Sequence, residues 1–167
     1  EKVEPVYEEL IAQYPTPEAL ENADVEYLEE LLRPLGLQRK KAKALIRIGS
    51  RIQDNGIPDD EESLLEFPYV GPYGANAILC FGFGERRPIV DANVVRIFNR
   101  VFDAELGGDR DADAWELAED LLPSERVQEY NLALLDLAAL VCTPSNPECE
   151  SCPINRYCKY YAQRASQ

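Results

Sequence analysis

The chain has 167 residues, 46% of them hydrophobic, and a formal net charge of −14 at pH 7. This composition is typical of a folded globular protein and excludes a disordered acidic tail. No apolar run is long enough to span a membrane, and the acidic, proline-containing residues 1–20 do not resemble a signal peptide. We therefore expect a cytoplasmic protein that does not act at a membrane.

The chain contains no histidine and no methionine. Without histidine, acid–base chemistry falls to carboxylates, Tyr, Lys or Cys. An apparent helix is already under way at Glu1, so we expect further sequence upstream of it. The excess of Asp and Glu suggests an origin in a salt-rich cytoplasm, where ions screen the repulsion between an acidic surface and an anionic partner.

Helical patterns follow one another along the chain, and no segment shows the alternation of a strand, so the fold is predicted to be all-α. Thr16 and Asp24 are candidate N-caps, and Asp59 with Glu62 is predicted to form a capping box before a short helix. The predicted helices run from Val3 to before Pro15, from Pro17, from after Asp24 to before Arg33, from Gln38 to about Asp54, after Asp59, and over 72–81, 92–102, 111–122 and 125–140.

Residues 38–51 (QRKKAKALIRIGSR) contain six basic residues and no acidic one. A solvated helix face and a nucleic-acid contact both fit this pattern. The four basic residues that a helix would place on one face are Lys40, Lys43, Arg47 and Arg51. The apolar residues predicted to face the core are Leu45, Ile48 and Ile52.

The segment EFPYVGPYGANAILC, residues 66–80, has apolar residues on both sides of a tight turn. Two helices joined by a hairpin would give this pattern, and so would a plain packing corner. Gly71 is predicted to open the second helix, where unpaired backbone N–H groups could bind a phosphate. The candidate phosphate-contact residues of the turn are Pro68, Tyr69, Val70 and Gly71.

Four cysteines lie within seventeen residues near the end of the chain, at the spacing C-x6-C-x2-C-x5-C. Thiols this dense in a cytoplasmic protein indicate a metal site rather than disulfides, and the spacing alone fits both zinc and an iron–sulfur cluster. The fifth, Cys80, is predicted to be a small buried side chain. The candidate metal ligands are Cys142, Cys149, Cys152 and Cys158.

The hairpin, the segment IVDANVVRIFNR and the four cysteines occur in the same order as in a known family. Together they resemble the endonuclease III and MutY branch of the helix-hairpin-helix DNA glycosylases, over essentially the whole chain. The resemblance implies a [4Fe–4S] cluster rather than zinc. It also implies two helical lobes, residues 1–86 with the hairpin and 87–167 with the cluster, and it implies that N-terminal helices of the first lobe are missing.

Asp91 and Tyr73 are the candidate catalytic residues. By its position before ANVVRIFNRVF, Asp91 is predicted to be an N-cap. The resemblance implies that the same carboxylate faces the sugar of a flipped nucleotide. Family members with lyase activity carry lysine where Tyr73 stands, so the resemblance implies an enzyme that leaves the abasic site intact. Tyr69 stands where the family hairpin has glycine, and it could stack on DNA.

The resemblance favours a monofunctional DNA glycosylase that removes thymine or uracil opposite guanine, because tyrosine at position 73 followed by VDAN is similar to that group. The resemblance also implies a partner, double-stranded DNA that contains a mismatched or damaged base, and a monomer at full length. Lys40, Lys43 and Arg47 are further candidate DNA contacts. The alternatives are an adenine glycosylase of the MutY type, a non-catalytic DNA-binding iron–sulfur module, and a zinc-stabilised interaction protein.

Overall fold

The structure is a computed structural model that describes residues 2–165 of the chain. In this range every regular element is helical and no strand occurs, which confirms the predicted all-α class. No helix of the described range is both long and apolar enough to cross a membrane. The chain forms two compact units, Glu1–Gly71 and Pro72–Gln167. The boundary at residue 86, which lies in the loop GFGERRP, stays a prediction.

The first unit contains five α-helices and a short 3-10 turn at Arg33–Leu35. Gly36, with a φ of 68°, ends this turn and separates the third helix from the long basic one. The helices are α1 Val3–Gln13, α2 Pro17–Glu21, α3 Val25–Leu32, α4 Gln38–Asn55 and α5 Glu61–Leu65.

The caps of these helices follow the sequence closely, with one correction. Thr16 Oγ1 accepts the backbone N–H of Ala19 at 3.1 Å, and Asp24 Oδ1 accepts that of Tyr27 at 2.8 Å, as predicted. The prediction of a capping box formed by Asp59 and Glu62 is wrong. Because α5 begins one residue later, its cap is Asp60, whose Oδ1 accepts the N–H of Ser63 at 2.8 Å.

The core of the first unit forms where α2 and α3 pack on α4. Its buried side chains are Val6, Leu28, Leu31, Leu32 and Ala42. The fully covered positions of α4 itself are small, namely Ala42, Ala44 and Gly49. The predicted core face of α4 is therefore only partly right, since Leu45, Ile48 and Ile52 are half-buried. At Gly49 the reason for the small residue is that α2 lies directly against the α4 backbone.

The second unit contains the other five α-helices, two π-helical turns and one 3-10 turn. The π turns extend α6 and α9 within the segments that the sequence predicts to be continuous helices. The α-helices are α6 Pro72–Ala77, α7 Ala92–Phe102, α8 Ala112–Leu121, α9 Val127–Asp136 and α10 Lys159–Ala165. The π turns are Ile78–Gly82 and Leu137–Val141, and the 3-10 turn is Asn155–Tyr157.

The core of the second unit centres on α7, whose apolar face packs against α8, α9 and the cysteine segment. Cys80 is fully buried, as predicted. It accepts a hydrogen bond from Nδ2 of the buried Asn131, with a sulfur–nitrogen distance of 3.4 Å. Asn131 also donates to the carbonyl of Arg87 and accepts the N–H of Ile89. The buried amide is thus satisfied, and it joins α9 to the segment that leads into α7.

Candidate functional site

Asp91 is the N-cap of α7, as the sequence predicts. Its Oδ1 accepts the backbone N–H groups of Asn93 and Val94 at 2.9 and 2.8 Å. Its Oδ2 accepts the side-chain amide of Asn93 at 2.7 Å. The three donors hold the half-buried carboxylate in one orientation. Because a carboxylate oxygen can accept two hydrogen bonds, Oδ2 keeps one acceptor position for a further partner.

A chain of hydrogen bonds leads from Asp91 to the first cysteine of the cysteine segment. Asn93, which donates to Asp91, accepts a hydrogen bond from Nη1 of Arg96 through its Oδ1 at 2.8 Å. Nε of Arg96 donates to the carbonyl oxygen of Cys142 at 2.9 Å, and its Nη2 donates to that of Ala138 at 3.1 Å. The structure therefore connects the candidate catalytic carboxylate to the candidate metal site.

Arg100, one helical turn after Arg96, organises the cysteine segment itself. Its Nη1 donates to the carbonyl of Thr143 at 2.8 Å and lies 3.2 Å from the sulfur of Cys142. Its Nη2 donates to the carbonyl of Pro144 at 2.8 Å, and its own carbonyl lies 3.4 Å from the sulfur of Cys158. One guanidinium thus fixes the start of the segment 142–158 by several hydrogen bonds.

The sequence did not reveal the roles of Asn93, Arg96 and Arg100, because their partners lie more than forty positions away along the chain or depend on a particular side-chain conformation. A signal was nevertheless present. Two arginines four residues apart, together with Asn99, interrupt the otherwise apolar run from Val94 to Phe102. Cations on a core-facing helix require acceptors, and the carbonyl groups of residues 138–144 supply them.

The four cysteines of the segment 142–158 form no disulfide with one another and line a single pocket. Apolar side chains from α7 and from the π turn also line it, together with Arg100, residues of the cysteine segment and the tyrosines of α10. Burial raises the pKa of the Cys149 thiol, Cys158 and Cys142 add to this rise, and the positive charges of Arg164 and Arg100 partly oppose it. Among residues 2–165, no group of three or more potential ligands is placed to hold a single metal ion. The thiols instead surround a shared space, and their donor chemistry fits an iron–sulfur cluster.

The turn that precedes α6 is held by one backbone hydrogen bond, from the N–H of Val70 to the carbonyl of Phe67 at 3.2 Å. Tyr69 lies at its tip with a φ of 65°, in the left-handed region, and 64% of its surface is exposed. A bulky residue rarely adopts this backbone conformation. Gly71 is exposed, and no atom lies within 4 Å of the position that a side chain would take.

The basic face of α4 is divided by its ion pairs. Arg51 forms an ion pair with Glu66, and its guanidinium lies 4.5 Å from the centre of the Phe67 ring. Lys40, Lys43 and Arg47 are exposed, and none of the three has an ion pair with a residue in the described part of the chain. Arg51 is therefore a packing residue, whereas the other three remain available to an anionic partner.

Tyr73 lies in the first turn of α6, with 43% of its surface exposed. Its neighbour Asn76 is buried and donates to the carbonyl of Pro72 at 3.0 Å. This contact fixes the start of α6, so the phenol of Tyr73 projects from a well-defined helical turn.

Comparisons with known proteins agree with this geometry. Residues 1–120 match the HhH-GPD superfamily base excision DNA repair proteins, and residues 142–158 match the iron-sulfur binding domain of endonuclease III. The chain is 37% identical to a thymine-DNA glycosylase of Aeropyrum pernix over 164 residues, which is 93% of this chain and 74% of that protein.

Two solved structures are similar to this one over most of its length. A thermostable thymine-DNA glycosylase aligns with a TM-score of 0.90 and 29% identity, covering 97% of this chain and 77% of that one. A non-covalent endonuclease III–DNA complex aligns with a TM-score of 0.82 and 25% identity, covering 98% and 77%. This chain therefore belongs to the HhH-GPD superfamily of base excision DNA repair proteins, and it includes the iron–sulfur binding segment of endonuclease III.

Proposed function

We propose that this protein is a monofunctional DNA N-glycosylase that removes thymine or uracil opposite guanine. The observation that carries the proposal is the fixed carboxylate of Asp91, which keeps an open acceptor position on Oδ2. The similarity to a thymine-DNA glycosylase over 93% of the chain supports the choice of base.

The chemistry of the reaction explains why such a carboxylate is needed. Breaking the bond between base and sugar leaves positive charge on the deoxyribose, as in glycoside hydrolysis. A carboxylate about 4 Å away would stabilise that charge by about 4 kcal/mol at an effective dielectric constant of about 20. This corresponds to a rate increase of nearly a thousandfold. The open acceptor position of Oδ2 could also orient or deprotonate the attacking water.

The base must leave the duplex before it reaches this carboxylate, and a mismatched base leaves at the lowest cost. Tyr73, exposed on the first turn of α6, is proposed to contact the extruded nucleotide. A phenol has no amine with which to form a Schiff base with the opened sugar. The reaction therefore stops at the abasic site, and the DNA strand remains unbroken.

DNA contacts are proposed for two sets of residues in the first unit. The turn residues Pro68, Tyr69, Val70 and Gly71 would approach the phosphate backbone, where backbone N–H groups rather than net charge provide the contact. Lys40, Lys43 and Arg47 on the free part of the α4 face would add charge contacts. When the charges of these three residues are removed by substitution, Arg39 is the matched control on the same helix, because it forms an ion pair with Glu29 at 3.7 Å.

Cys142, Cys149, Cys152 and Cys158 are proposed to hold the [4Fe–4S] cluster, because all four thiols line one pocket. When bound, the cluster would cross-link the end of the π turn after α9 to the start of α10 through its sulfur ligands. Arg100 orients Cys142, and Arg96 connects the carbonyl of Cys142 to the amide that holds Asp91. These protein contacts, rather than any redox step, relate the cluster to the base-release site in this proposal.

The proposal is tested with a panel of duplexes that contain T·G, U·G or A·G, each labelled on the strand that carries the first base. Each reaction is divided and analysed with and without hot alkali, which cleaves the strand at an abasic site. We expect cleavage of the T·G and U·G duplexes after alkali and intact strands without it. Release of adenine alone would support the MutY-type alternative, and DNA binding with no release from any duplex would support a non-catalytic module.

A further inference from the structure

The acidic residues of this chain are unevenly distributed, and the last part of the chain has none. Residues 151–167 (SCPINRYCKYYAQRASQ) contain no Asp or Glu, although the whole chain has 31. The same seventeen residues contain three basic residues and three tyrosines. Basic and aromatic residues interleaved in this way are typical of surfaces that bind nucleic acids.

Arg156 and Lys159 of this segment differ from most arginines elsewhere in the structure in having no carboxylate of the described residues as an ion-pair partner. Six arginines elsewhere in the described chain form ion pairs with carboxylates, whereas Arg156 and Lys159 have none with any residue from 2 to 165. Both are exposed. The paired arginines are Arg33, Arg39, Arg51, Arg86, Arg87 and Arg126.

Tyr157 lies between these two cations in the sequence. The residue is 64% exposed, and the guanidinium of Arg156 lies over its ring, 4.6 Å from the ring centre. This contact restricts the long side chain of Arg156 without neutralising its charge, which lowers the entropy cost of holding a phosphate. An unpaired cation stacked on an exposed ring, beside a second unpaired cation, is suited to an anionic backbone.

The third basic residue of the segment has a different environment. Arg164 packs on the ring of Tyr160 at 5.5 Å, and it lines a surface pocket together with Glu148 and Glu150. Among residues 2–165 neither carboxylate forms an ion pair with Arg164, but Arg164 shares this pocket with them. The proposal is therefore limited to Arg156 and Lys159, which do not line this pocket.

We propose that Arg156, Tyr157 and Lys159 form a second DNA-backbone contact, here named the 156–159 surface. This inference rests on the proposed function, since it assumes that the protein binds DNA. The neighbouring stretch between Cys142 and Cys149, TPSNPE, has no basic residue and so supplies no cation to such a contact. A net charge of −14 repels DNA, and salt screens electrostatic interactions beyond a short distance. Each contact with the DNA backbone therefore needs an unpaired cation close to the phosphate.

The test is the salt dependence of binding to a T·G duplex, measured by anisotropy with the iron–sulfur-loaded protein. The logarithm of the binding constant falls with that of the salt concentration, with a slope of about −0.9 for each phosphate contact. We expect the double variant Arg156→Gln/Lys159→Gln to have a slope smaller in magnitude by about 1.8. Single-turnover base release at saturating enzyme should stay at the wild-type rate, because neither residue is placed at Asp91.

Two control variants separate charge from local structure. Arg126→Gln removes an exposed cation that is paired with Glu129, so the wild-type slope should be kept. The exchange Arg156→Lys/Lys159→Arg keeps both charges beside Cys158 and should also keep the slope. The visible absorption of each variant reports whether the cluster is loaded.

Three outcomes would overturn the inference. One is an unchanged slope in the Gln variant, which would leave the proposed function intact if base release persists. Another is a slope reduced to the same extent in the charge-conserving exchange, which would assign the effect to altered packing. The third is a wild-type protein that neither binds the duplex nor releases a base, which would overturn the proposed function as well.

Discussion

Tyr69 combines two properties that rarely occur together in one residue. Its backbone is in the left-handed region, which costs a residue with a side chain about 1–2 kcal/mol relative to glycine. Its ring is nevertheless largely exposed, so burial offsets little of that cost. Strained residues of this kind concentrate where a binding site requires them. We therefore interpret Tyr69 as a DNA-contact residue whose strained backbone lowers the stability of the protein when no DNA is bound.

We expect Tyr69→Gly to stabilise the protein and to weaken its binding to DNA. Removal of the left-handed strain should raise the unfolding free energy by about 1 kcal/mol, which is a rise in Tm of about 2–4 °C for a chain of this size. Loss of the ring should reduce affinity for a T·G duplex. Thermal unfolding and anisotropy titrations measure the two effects on the same preparation.

Tyr69→Asn serves as the control for that prediction, because asparagine tolerates the left-handed region but has no ring. It should lose affinity to the same extent as the glycine variant. Pro68 and Tyr69 also border an apolar groove of the first unit that is lined by Val3, Tyr7 and Leu35. A lower Tm for Tyr69→Gly would show that the ring serves this groove rather than DNA.

Among the helices, α4 depends on a close approach by α2 at Gly49. A Cβ at this position would lie 2.8 Å from the backbone nitrogen of Glu21 and 2.9 Å from the carbonyl oxygen of Pro17. Neither atom belongs to a flexible side chain. The contact explains why a residue of low helix propensity stands in the interior of the longest helix of the described chain.

Gly49→Ala should therefore destabilise the protein, although alanine favours helices by about 1 kcal/mol over glycine. Overpacking against backbone costs about 1–3 kcal/mol, and the two effects leave a net loss of up to about 2 kcal/mol. Urea unfolding measures the loss. The exposed α4 residue Gln53, changed to alanine, should stay within about 0.5 kcal/mol of the wild type. An equal or higher stability of Gly49→Ala would contradict the close approach of α2.

Local sequence signals predicted the elements well, since caps and proline positions depend on neighbouring residues. Thr16, Asp24 and Asp91 cap their helices as predicted. Errors arose where one residue decides the outcome, as with Asp60 in place of Asp59, and where tertiary contacts alter a helix. The last turn of the predicted helix 125–140 is a π turn at Leu137–Val141, and the carbonyl of Ala138 accepts a hydrogen bond from Arg96.

The site was predictable in its ends but not in its connections. Spacing indicated the four cysteines, whereas Asp91 was singled out by the family resemblance and its position alone predicted only a cap. The link between them through Asn93 and Arg96 requires α7 to lie beside the π turn, and no local pattern encodes that contact. For Arg51 the sequence predicted the helix face correctly but not the partners of the side chain. Its spacing placed it with the free basic residues, but Glu66 and Phe67 engage it in the fold.

For the molecule as a whole, the net charge of −14 affects folding and binding in opposite directions. Self-repulsion between carboxylates destabilises the compact state, and added salt screens it. DNA binding through cations instead weakens with salt, because salt opposes the release of counterions from DNA. These effects are separable because the first arises from the entire surface and the second from a few contacts.

We expect the Tm to rise and the DNA affinity to fall as KCl is increased from about 0.1 M to about 1 M, over which the screening length shortens from about 10 Å to about 3 Å. Thermal unfolding and duplex titrations at matched salt concentrations measure both trends. A Tm that is constant or falling across this range would contradict both the importance of self-repulsion and the proposed salt-rich origin.

The central claim is that the Asp91 carboxylate stabilises the developing charge on the sugar, and the variant Asp91→Asn tests it most directly. Asparagine is as good an N-cap as aspartate, so α7 and the Tm should be preserved while the negative charge is lost. On a T·G duplex we expect single-turnover base release to fall by about a thousandfold, with DNA affinity unchanged. Base release by this variant at the wild-type rate would contradict the account.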